Sequence, residues 1–150
     1  DVSRVFTEMG TFRTDVEVED AITLTLRFSN GALGSITASS CAPGARAAGA
    51  RGTVLSGNRI VGTAGQIVFD KGELIVYTDN EVEGLQTGEW TTLSFDPNIY
   101  PFLDYIDAFA LSALEGRPAD IPGEAGRRTL EVLIAAYRSG ETHQPVELPL

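Results

Sequence analysis

Along the first two-thirds of the chain the apolar positions recur every second residue. From Asn98 onward they recur every third or fourth. Strands followed by helices predict an α+β fold: an open-faced, mostly antiparallel β-sheet with two C-terminal helices packed on one face. The segment AITLTLRF shows the strand period most cleanly, with Ile22, Leu24, Leu26 and Phe28 on one face and Thr23, Thr25 and Arg27 on the other. Asn30-Gly31 follows, a strong hairpin signal. A two-residue type I′ loop there pairs Phe28 with Leu33 and Thr25 with Ile36 across the returning strand ALGSITAS. VSRVFTEMGTF, NRIVG, QIVFD, ELIVYT and EWTTLSF read as further strands, with Lys71-Gly72 as another hairpin turn.

RIVGTAGQIVFD places Gly62 and Gly65 three apart inside a β-branched run. Glycine-rich turns after strands also bind phosphates, but only where a helix N-terminus follows. Here a strand follows, so the pair is predicted to bracket a tight turn between two strands, without a ligand role.

In the last third, Phe102, Leu103, Ile106, Ala110, Ala113 and Leu114 form one helical stripe, with Asn98 as N-cap, Pro101 in the first turn and Gly116 at C′. A second helix carries Leu130, Leu133, Ile134 and Tyr137 and ends near Gly140. PVELPL reads as an extended tail.

The two-residue register sorts the hairpin into two faces. Ile22, Leu24, Leu26, Phe28 and Leu33 form a core face that the helical stripes match. Thr23, Thr25, Gly34, Ile36 and Ala38 form a flat, lightly polar face with Arg27 at its edge. It is either a solvated sheet face or a surface that meets another chain. Because no further helix remains to cover it, the expectation is a homo-oligomer, a dimer in the first instance, formed by pairing this face with that of a second copy.

The 150 residues fit one domain. Asp1 replaces an initiator Met inside a strand-like stretch, which predicts a fragment or a processed chain. A net charge of -10 repels phosphate backbones, so nucleic acid is not an expected partner. The single cysteine, Cys41, permits no internal disulfide and points to a reducing, cytoplasmic setting. No apolar run is long enough for a bilayer, and no membrane partner is expected.

Chemical motifs are sparse. No two glycines are spaced G-x-G, so no dinucleotide fingerprint exists. GARAAGAR has the P-loop glycine spacing, but Ala50 and Arg51 stand where Lys and Ser/Thr are required. Asp15, Glu17 and Glu19 alternate as on a strand face, without calcium-loop spacing, so no metal site is expected. A Cys41/His143 dyad has no local marker. In the loop from Cys41 to Gly57, Arg46 and Arg51 are candidates for meeting an anionic substrate group.

DAITLTLRFSNGALGSITAS, RIVGTAGQIVFD and FLDYIDAFALSALEGRPADIPGEAGRRTLEVLIAAYRSGETHQPVEL, in that order, resemble the C-terminal domain of the Gfo/Idh/MocA (glucose–fructose oxidoreductase / inositol dehydrogenase) family. The resemblance implies a two-domain oxidoreductase in which a Rossmann domain upstream of this chain binds NAD or NADP. Residues 1–150 would then be its substrate-cleft and dimerisation domain. It implies oxidation or reduction of a hydroxyl or carbonyl group on a sugar, cyclitol or related compound. The family's catalytic Lys, Asp and His lie upstream of Asp1, and His143 does not match the family His. No catalytic or cofactor-binding residue is therefore assigned, and this chain alone is expected to be inactive. The alternative is a free-standing, non-catalytic binding or dimerisation module.

Overall fold

The computed structural model describes residues 1–41, 58–70, 73–94 and 101–150. The Lys71-Gly72 turn and the Asn98 cap lie outside these. Two antiparallel sheets of four strands precede two helices. The first sheet holds β1 (Val2–Gly10), β2 (Ala21–Phe28), β3 (Leu33–Ser39) and the short tail strand β8 (Val146–Glu147), in the order β3-β2-β1-β8. The second is a meander of β4 (Asn58–Gly62), β5 (Gly65–Asp70), β6 (Glu73–Thr78) and β7 (Trp90–Ser94). The α+β class holds, with the strands divided between two open sheets.

Thr63-Ala64 is the two-residue turn between β4 and β5, and Gly62 pairs directly with Gly65. The glycine pair therefore brackets a tight hairpin, as expected. Neither glycine has a positive φ. Gly65 is required by closeness instead: a Cβ there would lie 2.4 Å from the Tyr77 carbonyl oxygen of β6. On the next rung Tyr77 pairs with Trp90, their ring centroids 5.5 Å apart.

α1 (Pro101–Glu115) ends at Gly116 with φ +66°, the left-handed C′ residue that the sequence predicts. α2 (Gly123–Thr142) packs on β1 and β8, where Val5, Leu24, Leu26, Ala135 and Ala136 form the core. The face of α2 turned to the sheet is thus Val132, Ala135, Ala136 and Ser139. The predicted stripe of Leu130, Leu133, Ile134 and Tyr137 points outward. Small residues win because they let the helix backbone approach the sheet. Gly140 extends this close contact, with Met9 filling the space a Cβ would take. The predicted stripe of α1 is likewise outward, Leu103, Ile106 and Leu114 all being at least half exposed. The side of α1 bearing Tyr105, Ala108 and Phe109 receives the connector residues Ala119–Ile121.

β8 begins only at Val146, opposite Val5, so it gives Thr7 no strand partner on that side of β1. The buried Ser139 hydroxyl replaces the missing strand. It accepts from the Thr7 N–H at 3.0 Å and donates to the Gln144 carbonyl at 2.7 Å.

Candidate functional site

The hairpin between β2 and β3 decides which residues the open face presents. Its loop has three residues, Ser29-Asn30-Gly31. The Phe28 N–H donates to the Ala32 carbonyl and the Gly31 N–H to the Phe28 carbonyl, each at 2.9 Å. Only Gly31 takes a left-handed φ, +88°, the pattern of a three-residue loop with a bulge. The Asn30 side chain accepts from the Ala32 N–H at 3.1 Å. This loop shifts the expected register by one residue, so Arg27 pairs with Leu33, Thr25 with Ser35 and Leu24 with Ile36.

A one-residue shift exchanges the faces of β3. The five residues assigned to one surface are therefore divided. Thr23 and Thr25 lie on the open face. Gly34, Ile36 and Ala38 lie on the helix side, opposite Leu26, Leu24 and Ile22. Leu33, expected in the core face, is on the open face and 71% exposed. The contact of Thr23 Oγ1 with Thr37 Oγ1, at 3.4 Å, marks the true facing pair. With the β1 register the open face reads Arg4, Phe6 and Glu8 on β1, Arg27, Thr25 and Thr23 on β2, and Leu33, Ser35 and Thr37 on β3. It is more charged than the sequence reading made it.

At one end of this face Arg4, Arg27, Thr25, Ser35 and Leu33 meet Arg59 of β4 around a groove of about 790 Å³. Arg4 and Arg27 are directly opposite in the register. Arg4 approaches Glu147 at 3.9 Å, and Arg59 donates to the Gln66 side-chain oxygen at 2.7 Å. Arg46 and Arg51 lie outside the described residues.

The other titratable groups serve structure. Residues 11–20 form a loop rather than the strand that would align Asp15, Glu17 and Glu19. Asp20 organises it, accepting from the N–H groups of Phe12, Arg13 and Thr14 at 2.8–2.9 Å and from the Thr14 hydroxyl at 3.0 Å. Burial pushes the Asp20 carboxyl up, but the donors of Thr14, Phe12 and Arg13 outweigh it and hold it well below the usual carboxylate range. The sequence signal for this cradle is absent, because three of its four donors are backbone. Tyr137 donates to Glu19 at 2.8 Å and Tyr77 to Asp79 at 3.1 Å, and each hydrogen bond raises the phenol's pKa. His143 faces Glu8 at 3.6 Å and Cys41 contacts Ser39, so no hydrogen bond joins the two as a dyad. Among the described residues no group of His, Cys, Asp and Glu could hold a metal ion, and no helix is long and apolar enough to cross a membrane. The groups gathered here can bind and orient a ligand or a surface.

The chain matches the C-terminal alpha/beta domain of an oxidoreductase family over residues 2–148. No curated protein sequence matches it. Among solved structures, an oxidoreductase from Agrobacterium radiobacter in complex with NAD+, L-tartaric acid and magnesium is 19% identical, with a TM-score of 0.77 over 98% of this chain and 43% of that one. Levoglucosan dehydrogenase bound to NADH and levoglucosan is 21% identical, with a TM-score of 0.76 over 100% of this chain and 45% of that one. Aldose-aldose oxidoreductase from Caulobacter crescentus, complexed with glycerol, is 21% identical, with a TM-score of 0.72 over 99% and 42%. The chain thus spans less than half the length of these structures, and the likeness shows a shared fold. With the family match over nearly every residue, the chain belongs to the Gfo/Idh/MocA oxidoreductase family as its C-terminal alpha/beta domain.

Proposed function

We propose that this chain is the substrate-cleft and oligomerisation domain of an NAD(P)-dependent oxidoreductase. Its substrate would be the hydroxyl or carbonyl carbon of a sugar, cyclitol or related compound. The observation that carries the reading is the family match from residue 2 to residue 148, in a chain lacking the catalytic and cofactor motifs of such an enzyme. Neighbours of the same fold hold NAD+ or NADH together with levoglucosan or L-tartaric acid. A nicotinamide cofactor, held by a Rossmann domain upstream, would supply the hydride chemistry. This domain supplies a wall that orients substrate and excludes water. Arg46 and Arg51 are the proposed contacts with an anionic substrate group.

The open face is the proposed contact with a second copy. Thr23, Thr25, Ser35 and Thr37 keep it flat enough for two sheets to approach, and Leu33 adds exposed apolar area at its edge. Calorimetry with NADH and NADP+, followed by turnover on a panel of polyols, tests the enzyme reading. The full-length protein should bind one nicotinamide cofactor with micromolar affinity, and residues 1–150 alone should bind none. A full-length protein without nicotinamide binding would overturn the reading in favour of a non-catalytic module.

A further inference from the structure

The guanidinium groups around the junction groove stand against their own charge. Arg4 and Arg27 are direct cross-strand partners on the open face, and like charges in that relation destabilise an antiparallel pair. Their compensation is slight. Glu147 lies 3.9 Å from Arg4, a long contact between a half-exposed guanidinium and a carboxylate mostly in water. Among the described residues the Arg27 guanidinium has no ion pair or hydrogen bond. Arg59, reaching in from the second sheet, donates to a neutral amide. Three of the chain's eleven basic residues therefore converge on one groove, in a chain whose net charge is -10. No acidic side chain is among the groove's described lining residues.

The rest of the lining suits a small molecule. Thr25 and Ser35, opposite each other in the register, add hydroxyls, while Phe6, Leu33 and Val61 add an apolar wall. The groove's volume, about 790 Å³, lies within the roughly 300–1,000 Å³ usual for small-ligand sites. Guanidinium forks match phosphate and carboxylate oxygens equally well. We infer that the groove formed by Arg4, Arg27 and Arg59 between the open face and β4 binds a small organic polyanion bearing phosphate or carboxylate groups. The anion supplies the counter-charge that the Arg4–Arg27 rung lacks. This site requires no nicotinamide chemistry. A second copy covering the open face would enclose the groove and strengthen its charge pairing by lowering the local dielectric.

The test is calorimetric titration of the full-length protein with inorganic pyrophosphate and with citrate, at low salt and with NADH present to fill any nucleotide site. One saturable site per chain is expected, weakened at least tenfold by Arg27→Gln and by Arg59→Gln and unchanged by the surface control Arg138→Gln. Tighter pyrophosphate binding identifies a phosphate ligand; tighter citrate binding identifies a carboxylate ligand. Thermal melting gives a second readout. Without anion, Arg27→Gln should be at least as stable as wild type, because it relieves the like-charge rung. With pyrophosphate, wild type should melt higher while Arg27→Gln stays in place. Absence of saturable binding, equal binding by Arg27→Gln, or equal loss in Arg138→Gln would overturn the inference. Absence of NADH binding overturns only the oxidoreductase reading, since pyrophosphate is then titrated on its own.

Discussion

Gly62 and Gly65 flank one two-residue turn, pair with each other, and differ in what a methyl group would meet. At Gly62 the nearest atom to an added Cβ is the Gly65 carbonyl oxygen at 3.6 Å, an ordinary contact. At Gly65 it is the Tyr77 carbonyl oxygen at 2.4 Å, with the Thr78 Cα at 3.2 Å. Both obstacles are backbone, in the neighbouring strand of the same sheet, so relief requires β5 and β6 to separate. Overpacking of this kind costs about 1–3 kcal/mol, and a backbone obstacle puts Gly65→Ala at the upper end, about 2–3 kcal/mol. For a domain of this size 1 kcal/mol moves Tm by roughly 2–4 °C, so the expected fall is about 4–12 °C. Gly62→Ala should instead be neutral or gain about 0.4–1 kcal/mol, because alanine narrows the unfolded ensemble and meets no clash. Urea and thermal unfolding followed by circular dichroism would measure both. A Gly65→Ala variant no less stable than Gly62→Ala would refute the close-approach argument. In the proposed two-domain enzyme neither change should alter nicotinamide affinity while the fold persists.

Four further outcomes follow from other contacts. Ser139→Ala should cost about 1–3 kcal/mol in urea unfolding, since it leaves the Thr7 N–H and the Gln144 carbonyl unpaired under α2. Thr7→Val should be neutral or stabilising, because the buried Thr7 hydroxyl has no partner to lose. Asp20 has a folded-state pKa below its unfolded value, so its stabilisation is complete above about pH 4 and fades as pH falls through the folded pKa. Wild type should therefore lose more stability than Asp20→Asn in acid titrations followed by fluorescence, and parallel loss would show that the cradle is unimportant. Thr25→Arg combined with Leu33→Glu should dissociate the proposed dimer in sedimentation velocity. A wild type that is monomeric at tens of micromolar, or a double variant that stays dimeric, would remove the open face as the contact.

Element order and helix ends were legible because they depend on local signals. Gly116 stops α1 where a left-handed residue is needed, and the 3.6-residue period begins where the strands end. The hairpin register was not legible, since Asn30-Gly31 serves a two-residue loop and a three-residue loop with a bulge equally well. That ambiguity of one residue moved Ile36 and Leu33 to opposite faces and brought Ser35 and Thr37 into the open one. The packed face of α2 was misread for a different reason. Hydrophobicity alone favours Leu130, Leu133, Ile134 and Tyr137, whereas close approach to the sheet favours Ala135, Ala136 and Ser139. The arginine groove depends on pairing between strands far apart in sequence, so Arg4, Arg27 and Arg59 gave no joint signal.

The outward apolar stripes of α1 and α2 bear on how unevenly the domain opens. An isolated helix of 15 residues is marginal in water, and most helical stability comes from a packed face. α2 has such a face against β1, so its amides should exchange with solvent hydrogen only when the core itself unfolds. Leu103, Ile106 and Leu114 give α1 far less anchorage within this chain, so its amides should exchange by local opening, orders of magnitude sooner. α1 is thus a built-in reporter: a rise in its protection alone, with α2 unchanged, would register the arrival of any surface that meets those side chains.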